Sequence, residues 1–134
     1  MQLNLTTDYA IRLVLYLATV ERAAGSTEIS DLMCIPRGQF GSISKTLRER
    51  GIIETLRGTN GGFRLAKQPE EISLHEIINA MEGTTRINRC LDPDGYCSRN
   101  GVPNCPVHKF YSLIQSQLDQ AFQEVTIASL LRDA

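Results

Sequence analysis

The stretch Cys90–His108, CLDPDGYCSRNGVPNCPVH, limits what the whole chain can become. Pro93, Gly95, Gly101, Pro103 and Pro106 punctuate it, so neither a regular helix nor a strand can run through it. It holds three of the four cysteines, with six residues between Cys90 and Cys97 and seven between Cys97 and Cys105. Apolar side chains are scarce in it, so packing alone would hold it poorly. A segment of this kind ordinarily relies on a cross-link or a bound metal.

The 134 residues suit one domain with an appended helix. The opening MQLNLTTDYA lacks the basic and apolar regions of a secretory signal. The longest apolar run, Ile11–Val20, is broken by Arg12 and Thr19 and is too short to span a bilayer. These features predict a cytoplasmic protein with no membrane partner. Thiols there stay mostly reduced, which favours metal or redox chemistry over structural disulfides. The net charge of −1 conceals an asymmetry. Residues 36–67 carry seven Lys or Arg against Glu49 and Glu54, while the segments on either side are acidic. A basic island in an acidic chain is the footprint of a nucleic-acid contact. A solvated face without a partner has the same composition.

Apolar residues at helical spacing predict a first helix over about Asp8–Glu21, capped by Thr6 or Thr7, with Asp8 in its first turn. A short second helix, TEISDLMC, ends at Ile35–Pro36. A third runs from about Arg37 to Arg50, with Phe40, Ile43 and Leu47 inward and Gly51 as its stop. Two helices joined by a tight turn, the second basic, form a helix-turn-helix pattern. The outward face of the second offers Arg37, Gln39, Ser42, Lys45 and Arg48, residue types that bond phosphates and base edges. Gly38 and Gly41 either permit close approach to DNA or mark a late helix start.

In IIETLRGTNGGFRLAK two extended runs flank Arg57–Gly61, which predicts a β-hairpin acting as the wing of a winged helix. Arg57, Gly58, Asn60 and Gly61 at its tip suit a nucleic-acid groove. Ser73 then caps SLHEIINAME in a capping box with Glu76, and Gly83 stops that helix. His75 is expected at its surface. After Pro106 an apolar stripe (Val107, Phe110, Tyr111, Ile114, Leu118, Ala121, Phe122, Val125) predicts a helix to about Leu131, longer than the domain needs to cover itself. It is read as a dimerisation helix pairing with its own copy. The fold class is mostly α with a small β-hairpin: a winged helix-turn-helix domain over 1–83, a cysteine-rich loop over 84–108 and a dimerisation helix over 106–134. No nucleophile with a partner base and no phosphate-binding loop is present, so an enzyme is not expected.

Cys34 lies on the apolar-rich second helix and is expected to be a small buried hydrophobe. Cys90, Cys97 and Cys105 remain, with His108 about one helical turn beyond Cys105. This set suits an iron–sulfur cluster, structural zinc or a thiol redox switch. Zinc sites ordinarily use tight C-x2-4-C pairs, which the loop lacks, so its wide spacings favour the cluster.

These residues carry a resemblance. The openings MQLNLTTDYAIR and LRERGIIETLRGTNGGFRLAK, then ISLHEIINAMEG, the three-cysteine loop and the closing TIASLL resemble the IscR/NsrR superfamily of winged-helix iron–sulfur transcription regulators. The resemblance implies a homodimer that binds a double-stranded DNA operator as repressor or activator. It implies a cluster of two or four irons on Cys90, Cys97 and Cys105, sensing nitric oxide, redox or iron–sulfur status. In NsrR-type sensors an aspartate near the start of the first helix reaches the cluster of the other subunit, and Asp8 matches it. In IscR-type regulators a histidine three residues after the third cysteine is the ligand, and His108 matches it. The gaps between cysteines are longer here than in either type.

Overall fold

Helix α1 (Leu5–Val20) is the axis of the molecule. Leu13, Val14 and Leu17 on it are almost wholly buried, and it packs against four other helices and the second strand of the hairpin. Full burial of such a side chain stabilises by roughly 1.5–3 kcal/mol. The helix begins ahead of the expected start, and Thr6 and Thr7 lie inside it rather than capping it. A tertiary contact holds its beginning instead. Asn4 donates its backbone N–H (2.6 Å) and its side-chain amide (2.7 Å) to the Glu82 carboxylate, which also accepts from Thr7 Oγ1 (2.8 Å).

Helices α2 (Ser26–Met33) and α3 (Arg37–Glu49) follow. The turn between them contains Cys34, which is exposed and adopts a left-handed φ of 54°. The expected burial of Cys34 is therefore corrected: it closes α2 rather than lying on the apolar stripe led by Ile29. Strands β1 (Ile53–Leu56) and β2 (Gly62–Leu65) pair antiparallel, with Ile53 opposite Leu65 and Leu56 opposite Gly62. The α1–α2 loop joins them, because Ala24 and Phe63 exchange backbone hydrogen bonds of 2.9 and 2.8 Å. The Phe63 ring meets Phe40 of α3 edge-on, with centroids 5.3 Å apart. Wing and third helix therefore share one core.

Helix α4 (Leu74–Glu82) starts at Ser73, whose Oγ accepts the Glu76 N–H at 3.1 Å. Only half of the expected capping box forms, since the Glu76 carboxylate accepts from Lys67 Nζ at 2.5 Å. Gly83 ends the helix with a φ of 78°. Two short 3-10 turns, Arg89–Leu91 and Val102–Asn104, lie within the cysteine loop.

Helix α5 (Pro106–Glu124) is shorter than expected. Val125 and Thr126 are extended, and the chain resumes as α6 (Ile127–Arg132). Leu74 N–H donates to Val125 O (2.8 Å) and Ile127 N–H to Ile72 O (2.9 Å), which pins the break to the start of α4. Thr126 caps α6 by accepting from Ser129 N–H at 3.1 Å. Ile127 is fully buried in the core built on α1. Residues 106–134 are thus two helices, and the last returns to the N-terminal body. The computed structural model describes residues 1–134, and no helix is long and apolar enough to cross a membrane.

Candidate functional site

The outward face of α3 carries Ser42, Lys45 and Arg48, all exposed, with Gln39 half-buried beside them. Helix α3 begins at Arg37, so Gly38 and Gly41 do not mark a late start. A methyl group at either would meet nothing within 4 Å, so internal packing does not require glycine there. Arg37 is tied to Asp31 at 3.0 Å, and Lys45 stands 4.0 Å from Glu49. In the wing, Arg64 pairs with Glu54 across the two strands, and Lys67 pairs with Glu76. Arg48, Arg50 and Arg57 form no ion pair within the chain. The basic island is therefore partly neutralised at the wing base, while the end of α3 and the wing tip keep their charge.

The wing tip depends on its glycines. A Cβ on Gly61 would lie 2.3 Å from Leu56 O. Gly62 has a φ of 135°, and a Cβ there would lie 2.5 Å from Ala24 O. These residues let the wing close onto the α1–α2 loop, leaving Arg57, Gly58, Thr59 and Asn60 exposed at the tip.

The cysteine loop has an internal staple. Arg89 donates to Asp92 (3.1 Å) and in two bonds to Asp94 (2.5 and 2.6 Å), and its guanidinium lies 5.3 Å from the Tyr96 ring centroid. The guanidinium holds the Asp94 carboxyl well below the usual range, at about 2, and Asp94 in turn raises Arg89. All four cysteines are free thiols. Pro106 begins α5 as expected, and Cys105 caps it, its Sγ accepting His108 N–H at 3.4 Å. His108 Nδ1 lies 3.3 Å from Cys90 Sγ, which also accepts from Asn88 Nδ2 at 3.1 Å. Cys90, Cys105 and His108 are thereby gathered at the start of α5. Cys97 occupies a separate turn, where the backbone N–H of Gly101, then that of Arg99, lowers its thiol pKa. Asn100 in that turn has a left-handed φ of 52°, the kind of turn that aims successive amides at one anion.

No three of the His, Cys, Asp and Glu side chains converge closely enough to hold one metal ion. The loop as folded does not fit zinc, whose donors all lie within about 2.3 Å of a single point. Its donor types, three thiols and an imidazole, are those an iron–sulfur cluster uses. Asp8 lies elsewhere: it is exposed on α1 and paired with Arg12 at 2.6 Å.

Two more side chains, both on the polar side of α5, support the loop. Gln115 is only 2% exposed, the one buried residue of α5. Its Oε1 accepts Ile87 N–H (2.7 Å), and its amide donates to Thr85 O (2.9 Å) and Asp119 (2.8 Å). Asp119 also accepts from Thr85 Oγ1 (2.9 Å) and Arg86 (3.2 Å). Gln115 and Asp119 thus face the chain's own segment before Cys90, beside an open cleft of about 630 Å3 lined by Cys90, His108, Gln115 and Asp119. The apolar stripe is divided: Val107 and Phe110, with Leu113 beside them, are 51%, 59% and 55% exposed, while Tyr111, Ile114, Leu118 and Phe122 are half-buried. Periodicity finds the stripe but not how it is divided between the chain's own body and the outside.

Fold, basic α3 with wing, and cysteine loop now stand together, and comparison with known proteins agrees with them. The profile of the Rrf2 family, described as an iron-dependent transcriptional regulator, matches residues 3–133. The chain belongs to the Rrf2 family. It is 32% identical to the HTH-type transcriptional regulator NsrR of Geobacillus kaustophilus, in a match covering 99% of this chain and 91% of that one. It is 37% identical to NsrR of Shouchella clausii, there over 69% of this chain and 63% of the relative's length. Its fold is shared with CymR of B. subtilis (TM-score 0.80, 17% identity, 100% and 98% of the two chains) and with T. potens IscR (TM-score 0.77, 18% identity, 99% and 88%). This Rrf2 protein is accordingly a DNA-binding transcription regulator and not an enzyme.

Proposed function

We propose that this Rrf2 protein is a cytoplasmic homodimer whose operator affinity is set by an iron–sulfur cluster on Cys90, Cys97 and Cys105. The observation that carries the reading is the loop itself. At the start of α5 His108 reaches Cys90 with its ring and Cys105 with its backbone N–H, and Cys97 sits among backbone amides that favour its thiolate. A bound cluster would supply chemistry that reacts with nitric oxide or oxidant, or reports iron–sulfur status. The residues do the rest. Arg89, Asp92 and Asp94 hold the loop's shape, and Asn88 donates to the Cys90 sulfur. His108 is the fourth donor within reach of the same chain's cysteines, whereas Asp8 would serve only as the partner's Asp8. The exposed stripe Val107, Phe110 and Leu113 supports pairing of two α5 helices. A two-fold axis would place two α3 helices about 34 Å apart, one turn of DNA. Arg48 and Arg57 would neutralise phosphates, while Gln39, Ser42 and Lys45 face the groove and Gly58, Asn60 and Gly61 let the wing approach.

The test is anaerobic purification followed by operator binding of wild type, Cys97→Ala, His108→Ala and Asp8→Ala. We expect visible iron–sulfur absorbance in the wild type, its loss in Cys97→Ala, and an altered spectrum in one of the two fourth-donor variants. A colourless wild type whose operator binding does not respond to Cys97→Ala would falsify the cluster reading. A second reading, a thiol switch without a cluster, is favoured by one feature: backbone amides around Cys97 lower its thiol pKa. It predicts colourless protein whose operator affinity changes reversibly with oxidant and dithiothreitol.

A further inference from the structure

Burying a primary amide is costly unless its bonds are satisfied. Gln115 meets that condition through one short segment: two of its three bonds go to the backbone of Ile87 and Thr85. Cys90 follows Ile87 by three residues, so the amide grips the segment from which the cysteine loop hangs. Its third bond goes to Asp119. That carboxylate also holds Thr85 and Arg86 and lies 3.8 Å from His75 Nε2 on α4. Helix α4 is rooted in the DNA-binding body, with Ile77 and Ile78 buried and α1 and α3 as neighbours. At its first turn Glu76 receives Lys67, two residues beyond β2. Hydrogen bonds and packed elements are therefore continuous from Cys90 through Gln115, Asp119 and α4 to the wing.

We propose that Gln115 is the positioning residue through which the state of the cysteine loop reaches the DNA-binding body, with Asp119 as its relay to α4. The proposal rests on the loop being the sensing element, whether it responds through a cluster or through its thiols. A displacement of Cys90 draws on Ile87 and Thr85. The Gln115 amide moves with them or loses its bonds, and Asp119 shifts against α4. Contiguity alone does not establish such coupling, so the test measures coupling directly.

The test uses the full-length chain, free of cluster, in a Cys34→Ser background. Hydrogen exchange of Thr84–Asn88 and of α4 is followed before and after the loop cysteines are capped with iodoacetamide, for the parent and for Gln115→Leu. Capping should change exchange in both segments of the parent, but only in Thr84–Asn88 of the variant. An α4 response equal in both proteins, or absent from the parent, overturns the proposal. A purely structural role would lower the unfolding midpoint of Gln115→Leu and leave the α4 response intact, which also counts against it. Should Gln115→Leu not fold, Asp119→Asn keeps the shape, removes the charge facing Arg86 and His75, and takes its place. In cluster-loaded protein, a ratio of operator affinities between states of roughly 5- to 150-fold should shrink toward one in Gln115→Leu at unchanged visible absorbance. A preserved ratio overturns the proposal. Failure of the cluster reading shows separately, as colourless parent protein, and the exchange comparison still decides the role of Gln115.

Discussion

Gly41 occupies a helix face where alanine would be favoured by about 1 kcal/mol, and nothing in the chain would meet the added methyl. Gly41→Ala should therefore raise the unfolding midpoint while weakening operator binding, two opposed effects that calorimetry and gel-shift titration would separate. Gly62 is the contrasting case. Its left-handed φ and the nearby Ala24 carbonyl leave no room for a side chain. Gly62→Ala should destabilise by at least about 1–3 kcal/mol and loosen the wing, read by urea unfolding and by exchange of the Phe63 amide. In the cysteine loop, Asp94 titrates at about 2, below its ordinary carboxylate value, because Arg89 holds it ionised. A depressed acid contributes stability above its unfolded value and loses it as pH falls through the folded one. Loop order, followed by Tyr96 fluorescence, should hold down to the ordinary carboxylate range and decline from there through about pH 2. Arg89→Ala should remove that transition. The sequence singled out Arg57, Lys45, Arg48 and the loop cysteines as candidates because their types and spacing speak locally. It did not show Asn88, Arg89 or Gln115 as supports, since their roles exist only once distant atoms meet them.

At the scale of the element, the hairpin and α3 were legible because their signals are short-range: turn glycines, a proline break, an apolar stripe of Phe40, Ile43 and Leu47. The ends of α1 and α5 were not. The start of α1 is set by Glu82, far along the chain. The end of α5 is set by pairing of Val125 and Ile127 with Leu74 and Ile72. The stripe from Val107 runs up to Val125 with no sign of that break, so the segment reads as one helix. Phe110 on its exposed side is the residue to probe. Phe110→Glu should shift the protein toward monomer in analytical ultracentrifugation and leave the single-chain fold intact. Ile127 anchors α6, and Ile127→Ala should cost roughly 2–5 kcal/mol in chemical unfolding, since the cavity would open in the core built on α1.

For the molecule as a whole, the distribution of charge matters more than its sum. The chain is nearly neutral, yet Arg48 and Arg57 remain unpaired on the face formed by α3 and the wing. Operator affinity should fall linearly with salt on logarithmic axes, and Arg48→Ala or Arg57→Ala should each reduce the slope by about 1 per contacted phosphate. Arg64→Ala should change it less, because Glu54 already neutralises that side chain.

Sequence by itself determined the order of elements, the basic helix with its wing, the family resemblance and the three cysteines with their histidine. Each is written in residue types, in periods of a few positions, or in spacings that survive without a neighbour. Tertiary structure decided the rest. It decided that α6 returns to the core, that Cys34 is exposed, and that Gln115 of α5 is buried against its own body while Val107 and Phe110 are left outside. It also decided that Cys97 stands in its own turn while Cys90, Cys105 and His108 gather. Hydrogen bonds such as those of Gln115 and Glu82 join residues many positions apart, and a periodic pattern carries no record of the partner that a face will find.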